Sequence, residues 1–271
     1  MSQLVPFFVS IPHSGEKVPK QTPWLNSLSE VVLMSDVDRF VDRLYEPSLK
    51  ELSIPFQTTE WHRYAVDLNR IPDDVSQSSV AGSKNPPGTF LDGYHWVMTK
   101  NEVTILPEPM SRQTHEELTE LIYKPFHVGV RNHYENFKSK GFPQVYHVDA
   151  HSMPSLGTRM HRDPGQLRAD IVVSDCGGKS CSKKFRDLVI AAYATSGFKV
   201  GYNWPYLGGR VTEQYGNPQL GQHAIQVELN RGLYMDEVTK QIKDSHSEVQ
   251  KKIREALVYI KSELANFSIS G

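Results

Sequence analysis

Short apolar runs that stop abruptly at polar clusters recur along this chain. Residues 4–11, LVPFFVSI, are rich in Val, Phe and Ile and are closed by Pro12 and a Gly/Pro loop, which predicts a strand. From 35 to 52, apolar positions at Val37, Phe40, Val41, Leu44 and Leu49 follow helical spacing behind leading aspartates, predicting a helix. EWHRYAVDLNR (60–70) reads as a strand ending at the polar DLNR. Residues 71–95, rich in Pro, Gly, Ser and Asp, read as a long functional loop and not as a domain linker. A helical pattern covers 111–141, and strands are predicted at 144–152, 169–175 and 224–231. An amphipathic helix follows at 181–197, closed by Gly197, and a charged amphipathic helix over 235–267. Strands alternate with helices and no internal repeat is found, so a single α/β domain spanning 1–271 with a largely parallel sheet is expected.

Composition narrows the function classes. Of 271 residues, 38% are hydrophobic and 23% charged, enough for a large core; the net charge is -1 and the 30 Lys and Arg are spread out, leaving no basic face for nucleic acid. No apolar run approaches 18 residues and the N-terminal residues lack the signal-peptide pattern, so neither a membrane span nor secretion is expected and a cytoplasmic location is the default. Cys176 and Cys181 are read as unpaired thiols.

Chemistry-bearing residues gather where strands stop: His13 and Glu16 after the first, Asp67, Asn69 and Arg70 in DLNR, Asp149 and His151 in VYHVDAHSM, and Glu228, Asn230 and Arg231 in QVELNR. Parallel strands end on one side of a sheet, where open α/β folds place their ligands, so these groups can converge. Two imidazoles and one carboxylate suit a catalytic zinc with an open position, a second carboxylate suits proton transfer, and Asp149 suits a supporting partner of a histidine ligand. Each residue also has a plainer use: a lone histidine after a strand caps or packs, DLNR makes a salt-bridged turn, and acids near a helix start complement its dipole. Glu228 fits these uses least, because a carboxylate beside AIQV costs desolvation.

Competing motifs fail. The phosphate-loop pattern ending in GKS at Ser180 needs glycine where Val173 stands, HEELT has Thr119 where a helical zinc motif needs histidine, and no G-x-S-x-G elbow occurs. The aromatics of GYNWPYLGG (201–209) could line a pocket, with core packing the commoner use.

IPHSG, DRFVDRLYE, RYAVDLNR, VDAHS, SDCGGKSC, GGRVTEQYG and HAIQVELNRGLYMDE, in this order over about residues 8–237, resemble the motifs of the N-formylglutamate amidohydrolase family. The resemblance implies a zinc-dependent amide hydrolase of zinc-carboxypeptidase and aspartoacylase type. It also implies a three-layer α/β/α fold with a mixed, largely parallel sheet, and one Zn2+ per chain. It implies His13 and His151 as metal ligands with an acid, for which Asp38 is favoured over Glu16 and Asp42. Glu228 is implied as the base and Arg70 as the carboxylate-binding arginine, with Asn69, Arg63, Arg210, Thr212 and His223 as further substrate contacts. The implied substrate is a small N-acyl amino acid, foremost N-formyl-L-glutamate in histidine breakdown. The same chemistry on another N-acyl amino acid or short peptide, and a zinc-binding protein without turnover, stand as alternatives.

Overall fold

The computed structural model describes residues 4–267. In chain order its main elements are β1 (Phe7–Ile11), α1 (Glu30–Leu33), α2 (Val41–Glu51), β2 (Phe56–Thr58), α3 (Arg112–Leu118), α4 (Lys124–Ser139), β3 (Val145–Met153), β4 (Ile171–Ser174), α5 (Lys183–Thr195), β5 (Val200–Tyr202), α6 (Arg210–Tyr215), β6 (Gln222–Asn230) and α7 (His246–Phe267). The strands form one sheet in the order β2-β1-β3-β6-β4-β5. All neighbours are parallel except β4 and β6, so the sheet is mixed and largely parallel.

Alternation along the central strands explains the layering. Phe7, Val9 and Ile11 of β1, Tyr146, Val148 and Ala150 of β3, and Ile225, Val227 and Leu229 of β6 join an apolar cluster with α2, α5 and α7. The intervening positions, Ser10, His147, Asp149, His151, Gln226 and Glu228, are buried yet polar. They lie on the opposite face, where a second apolar cluster built from residues 64–68, 75–110 and α3–α4 completes the third layer. Among the described residues no helix is long and apolar enough to cross a membrane.

Three expectations need correction, and two short strands went unforeseen. Residues 60–70 form no strand: Ala65 N–H bonds to the His62 carbonyl and Arg70 N–H to that of Asp67, so turns bury Tyr64, Val66 and Leu68 and deliver DLNR from a loop. The helix expected from 35 begins at Val41, because Phe40 takes φ 70 and breaks the spiral before it. The last helix begins at His246, and residues 235–245 turn back through a Met235–Ile242 bridge. The edge strands β2 and β5 have three residues each, too short for a periodic signal.

Burial lowers the imidazole pKa to about 4 at His62, about 3 at His95 and about 4 at His127, from an ordinary 6.5. Between those values the unfolded chain binds protons that the folded chain refuses. Their stabilisation is therefore complete above about pH 6.5 and is lost as pH falls toward 4, each contributing a slope of up to ~1.4 kcal/mol per pH unit. Urea midpoints should drop between pH 7.5 and 5, and a midpoint independent of pH over that range would contradict this.

Candidate metal centre

β1, β3 and β6 are adjacent and parallel, so their carboxyl ends share one edge of the sheet. His13 lies two residues beyond β1, while His151 and Glu228 are direct cross-strand partners near the ends of β3 and β6. Asp38 joins them from the irregular segment before α2, its N–H bonded to the His13 carbonyl at 2.9 Å. Gly15 makes the His13 loop possible: a Cβ there would lie 2.5 Å from backbone atoms of Glu60 and Trp61, where Lys17 pairs with Trp61.

The side chains of His13, Asp38 and His151 meet, with one nitrogen or oxygen from each within 4.8 Å of the others. Asp38 Oδ2 lies 3.0 Å from His151 Nδ1 and 3.5 Å from His13 Nδ1. Its other oxygen, Oδ1, accepts hydrogen bonds from Arg231 at 3.0 Å and Ser152 at 3.1 Å, so one carboxylate oxygen is anchored and the other presented.

Hydrogen bonding fixes which nitrogen each ring presents. Ser10 donates its single proton to Asp149 Oδ1 at 2.5 Å, so its contact with His147 Nε2 at 2.6 Å must be donated by the imidazole. His147, whose pKa burial lowers to about 4, is neutral, and its Nδ1 accepts from the Tyr134 hydroxyl at 3.2 Å. Asp149 is thus an acceptor, and its Oδ2 takes the Nε2–H of His151 at 2.8 Å. Asp67 does the same for His13 Nε2 at 2.9 Å, while accepting also from Arg63, Trp96 and the Asn69 N–H. In their neutral forms both rings therefore turn an Nδ1 lone pair toward Asp38, and His13 Nδ1 is buried with no hydrogen-bond partner. Lone pairs facing a carboxylate oxygen repel unless a positive charge sits among them. Ligand separations in a tetrahedral zinc site are about 3.3 Å, so these three residues fit a metal ion.

Burial pushes the Asp38 carboxyl up, but the adjoining His13 and His151 outweigh it and hold it well below the usual range; burial likewise opposes a charge on His151, yet Asp149 and Asp38 hold that imidazole well above its ordinary value, so the cluster favours positive charge at its centre. Burial also opposes ionisation of Asp67, which the charges of Arg63, His13 and Arg70 overcome. Glu228 is the exception: burial raises its pKa, and the opposing influences of His151, Arg231 and Gln226 do not cancel the effect. Buried Asp38, Asp67, Asp149 and Glu228 outnumber the guanidiniums paired among them, Arg63 and Arg231, a surplus of carboxylate that suits a cation.

The cluster opens into a cavity of about 310 Å³. Arg70 lines it, with Nε donating to the Asp92 carbonyl and Nη2 3.3 Å from the Asp92 carboxylate, which Lys100 also holds at 2.5 Å. Asn69 lines it too, its Oδ1 accepting from Val211 N–H, as does Arg63, stacked on Trp96 and paired with Asp67. Three expected substrate contacts do not reach the cavity wall. Arg210 pairs with Glu213 on α6, Thr212 is buried within that helix, and His223 sits at the far end of β6 bonded to Gln144, because four residues of extended strand, 224–227, separate it from Glu228. Glu16 is committed to Arg39 at 2.9 Å, and Asp42 lies in α2 outside the cluster.

Sequence reasoning gave no role to Arg231, which anchors Asp38, or to Asp67 as the partner of His13. His147, inside the same strand as His151, also went without a role, and its ring relays a hydrogen bond between Tyr134 and Ser10. The recurrence of LNR after an acid in both DLNR and ELNR was the available signal for Asp67 and Arg231.

A family model described as N-formylglutamate amidohydrolase matches residues 5–235. An N-formylglutamate deformylase of Pseudomonas aeruginosa is 29% identical over 239 residues, covering 86% of this chain and 83% of that protein. Its counterpart from Pseudomonas putida is 26% identical over 243 residues, with the same coverage. In three dimensions the chain is similar to a crystal structure of N-formylglutamate amidohydrolase from Ralstonia eutropha JMP134, with TM-score 0.86, 24% identity, and 98% and 96% of the two chains covered. At that identity the likeness establishes the three-layer fold and no more.

Proposed function

Because the chain belongs to the N-formylglutamate amidohydrolase family, we propose that it is a zinc-dependent amide hydrolase that converts N-formyl-L-glutamate to formate and L-glutamate. The observation carrying this reading is the pair of buried imidazoles whose free Nδ1 atoms meet at Asp38, with Glu228 in register beside His151. The names of the two Pseudomonas relatives support the substrate.

His13, Asp38 and His151 would hold the metal. Bound there, zinc supplies Lewis-acid polarisation of the formyl carbonyl and lowers the pKa of a water molecule toward about 7. Glu228 accepts a proton from the attacking water and delivers it to the glutamate nitrogen as the C–N bond breaks, yielding formate and the free amine. Its buried position raises its pKa toward the working range of a proton shuttle. Arg70 pairs with the substrate carboxylate nearest the scissile nitrogen. Since Lys100 retains Asp92, the Arg70 edge can change partners without stranding an acid. Asp67 and Asp149 hold the imidazoles in one tautomer.

The same site would serve another N-acyl amino acid or a short peptide, since the family fixes the chemistry better than the substrate. Metal analysis of the purified protein together with hydrolysis assays on N-formyl, N-acetyl and dipeptide substrates tests the reading. Stoichiometric zinc and a kcat/KM highest for N-formyl-L-glutamate are expected. A preference for a peptide would favour the second reading, and zinc without turnover on any of them would reject the enzyme.

A further inference from the structure

N-Formylglutamate carries a second carboxylate on its side chain, and the residues so far described account for only one. The cavity wall holds Arg63, Arg70, Lys100, Arg162 and Arg231. Arg63 is committed to Asp67, Arg231 to Asp38, and Arg70 and Lys100 share Asp92. Among the described residues, Arg162 is the cation of this wall that makes no ion pair. It is exposed, and its guanidinium lies over the half-exposed ring of Trp204, 5.3 Å from the centroid.

The loop that carries it, between β3 and β4, is pinned directly beside it. Asp163 forms a buried two-point ion pair with Arg168 at 2.7 and 2.8 Å, and Arg168 also donates to the Pro154 carbonyl and the Tyr206 hydroxyl. Gly157 closes the loop against the Asp163 carbonyl, where a Cβ would collide. Arg162 is thus presented from a stapled root, and stacking on an indole leaves the N–H edge of a guanidinium free for an in-plane carboxylate.

We propose that Arg162 is the specificity-determining residue for the distal carboxylate, selecting N-acyl derivatives of acidic amino acids over their neutral counterparts. The inference rests on the amide-hydrolase reading above. Position decides which carboxylate each arginine takes: Arg70 is three residues from Asp67, which holds His13, whereas Arg162 stands on the exposed rim. The near carboxylate falls to Arg70 and the far one to Arg162.

The test compares N-formyl-L-glutamate with its near-isosteric amide, N-formyl-L-glutamine, in the wild type, Arg162→Gln and Arg162→Lys. One charge-assisted pair corresponds to about a 10–100-fold effect. Arg162→Gln should lower kcat/KM for the glutamate substrate by about that factor, chiefly through KM, and leave the glutamine substrate within ~3-fold. Arg162→Lys should restore part of the loss. Equal losses on both substrates, or no loss on either, would overturn the proposal. A wild type inactive on both substrates would instead defeat the hydrolase reading itself, an outcome visible before any variant is compared.

Discussion

Glu228→Gln is expected to keep its zinc and lose about 10³-fold in kcat, the range associated with removing a positioned proton-transfer group. The substitution changes little in shape, and the side-chain carbonyl can still accept from Gln226 Nε2, which Glu228 Oε1 now does at 2.6 Å. Glu228 is not in the ligand cluster, so metal content should not follow activity. What the amide cannot do is take a proton from water and return it to nitrogen. The pH profile adds a second signature. Burial raises the Glu228 pKa, and the base works ionised, so wild-type kcat/KM should fall as pH drops through a value above the ordinary glutamate range. That acid limb should disappear from the residual activity of Glu228→Gln. Metal measured by atomic absorption beside initial rates from pH 5 to 9 checks both. A variant with wild-type turnover would remove Glu228 from the mechanism.

What the sequence could disclose follows from how each residue reaches the site. His151 and Glu228 ride on long strands with clear alternation, and parallel pairing alone brings them together once β3 and β6 are neighbours. His13 follows directly from β1 in the same way. Asp38 and Arg70 arrive on irregular backbone, through the left-handed Phe40 and the turns of 62–70, which no periodicity encodes. Their assignment came from motif resemblance, and strand logic misread 60–70 because its apolar residues pack beneath loops and not within the sheet.

The same physics explains what the sequence hid. Tyr134, His147 and Ser10 donate in turn toward Asp149, which accepts from His151 on its other side, a network across two strands and a helix, yet each looks like an ordinary residue in its own segment. The signal was the oddity of fully buried strands with polar residues at alternate positions, since each such group must find a partner. The cavity wall was only partly legible. The loop from 71 supplies Asp92 to the wall, and in 201–209 Tyr206 lines the cavity and Trp204 stands half exposed, where packing had been the commoner expectation.

His151→Ala and Asp38→Asn should each yield protein that purifies without stoichiometric zinc and has no measurable turnover, a larger effect than the roughly 10–100-fold loss of metal affinity associated with outer partners such as Asp149. The two substitutions act differently. His151→Ala removes a nitrogen donor and strands Asp149, whose Oδ2 then has no imidazole to accept from. Asp38→Asn keeps the shape and the contacts of Oδ1 with Ser152 and Arg231 in acceptor form, but it replaces the presented anionic oxygen with an amide beside two lone pairs. Glu16→Gln and Asp42→Asn should retain full zinc, because Glu16 is turned to Arg39 and Asp42 stands outside the cluster. Competition with a chromophoric chelator ranks all four variants. If Glu16→Gln loses the metal while Asp38→Asn keeps it, the acidic ligand is not Asp38, and the segment before α2 has some other reason for its buried carboxylate.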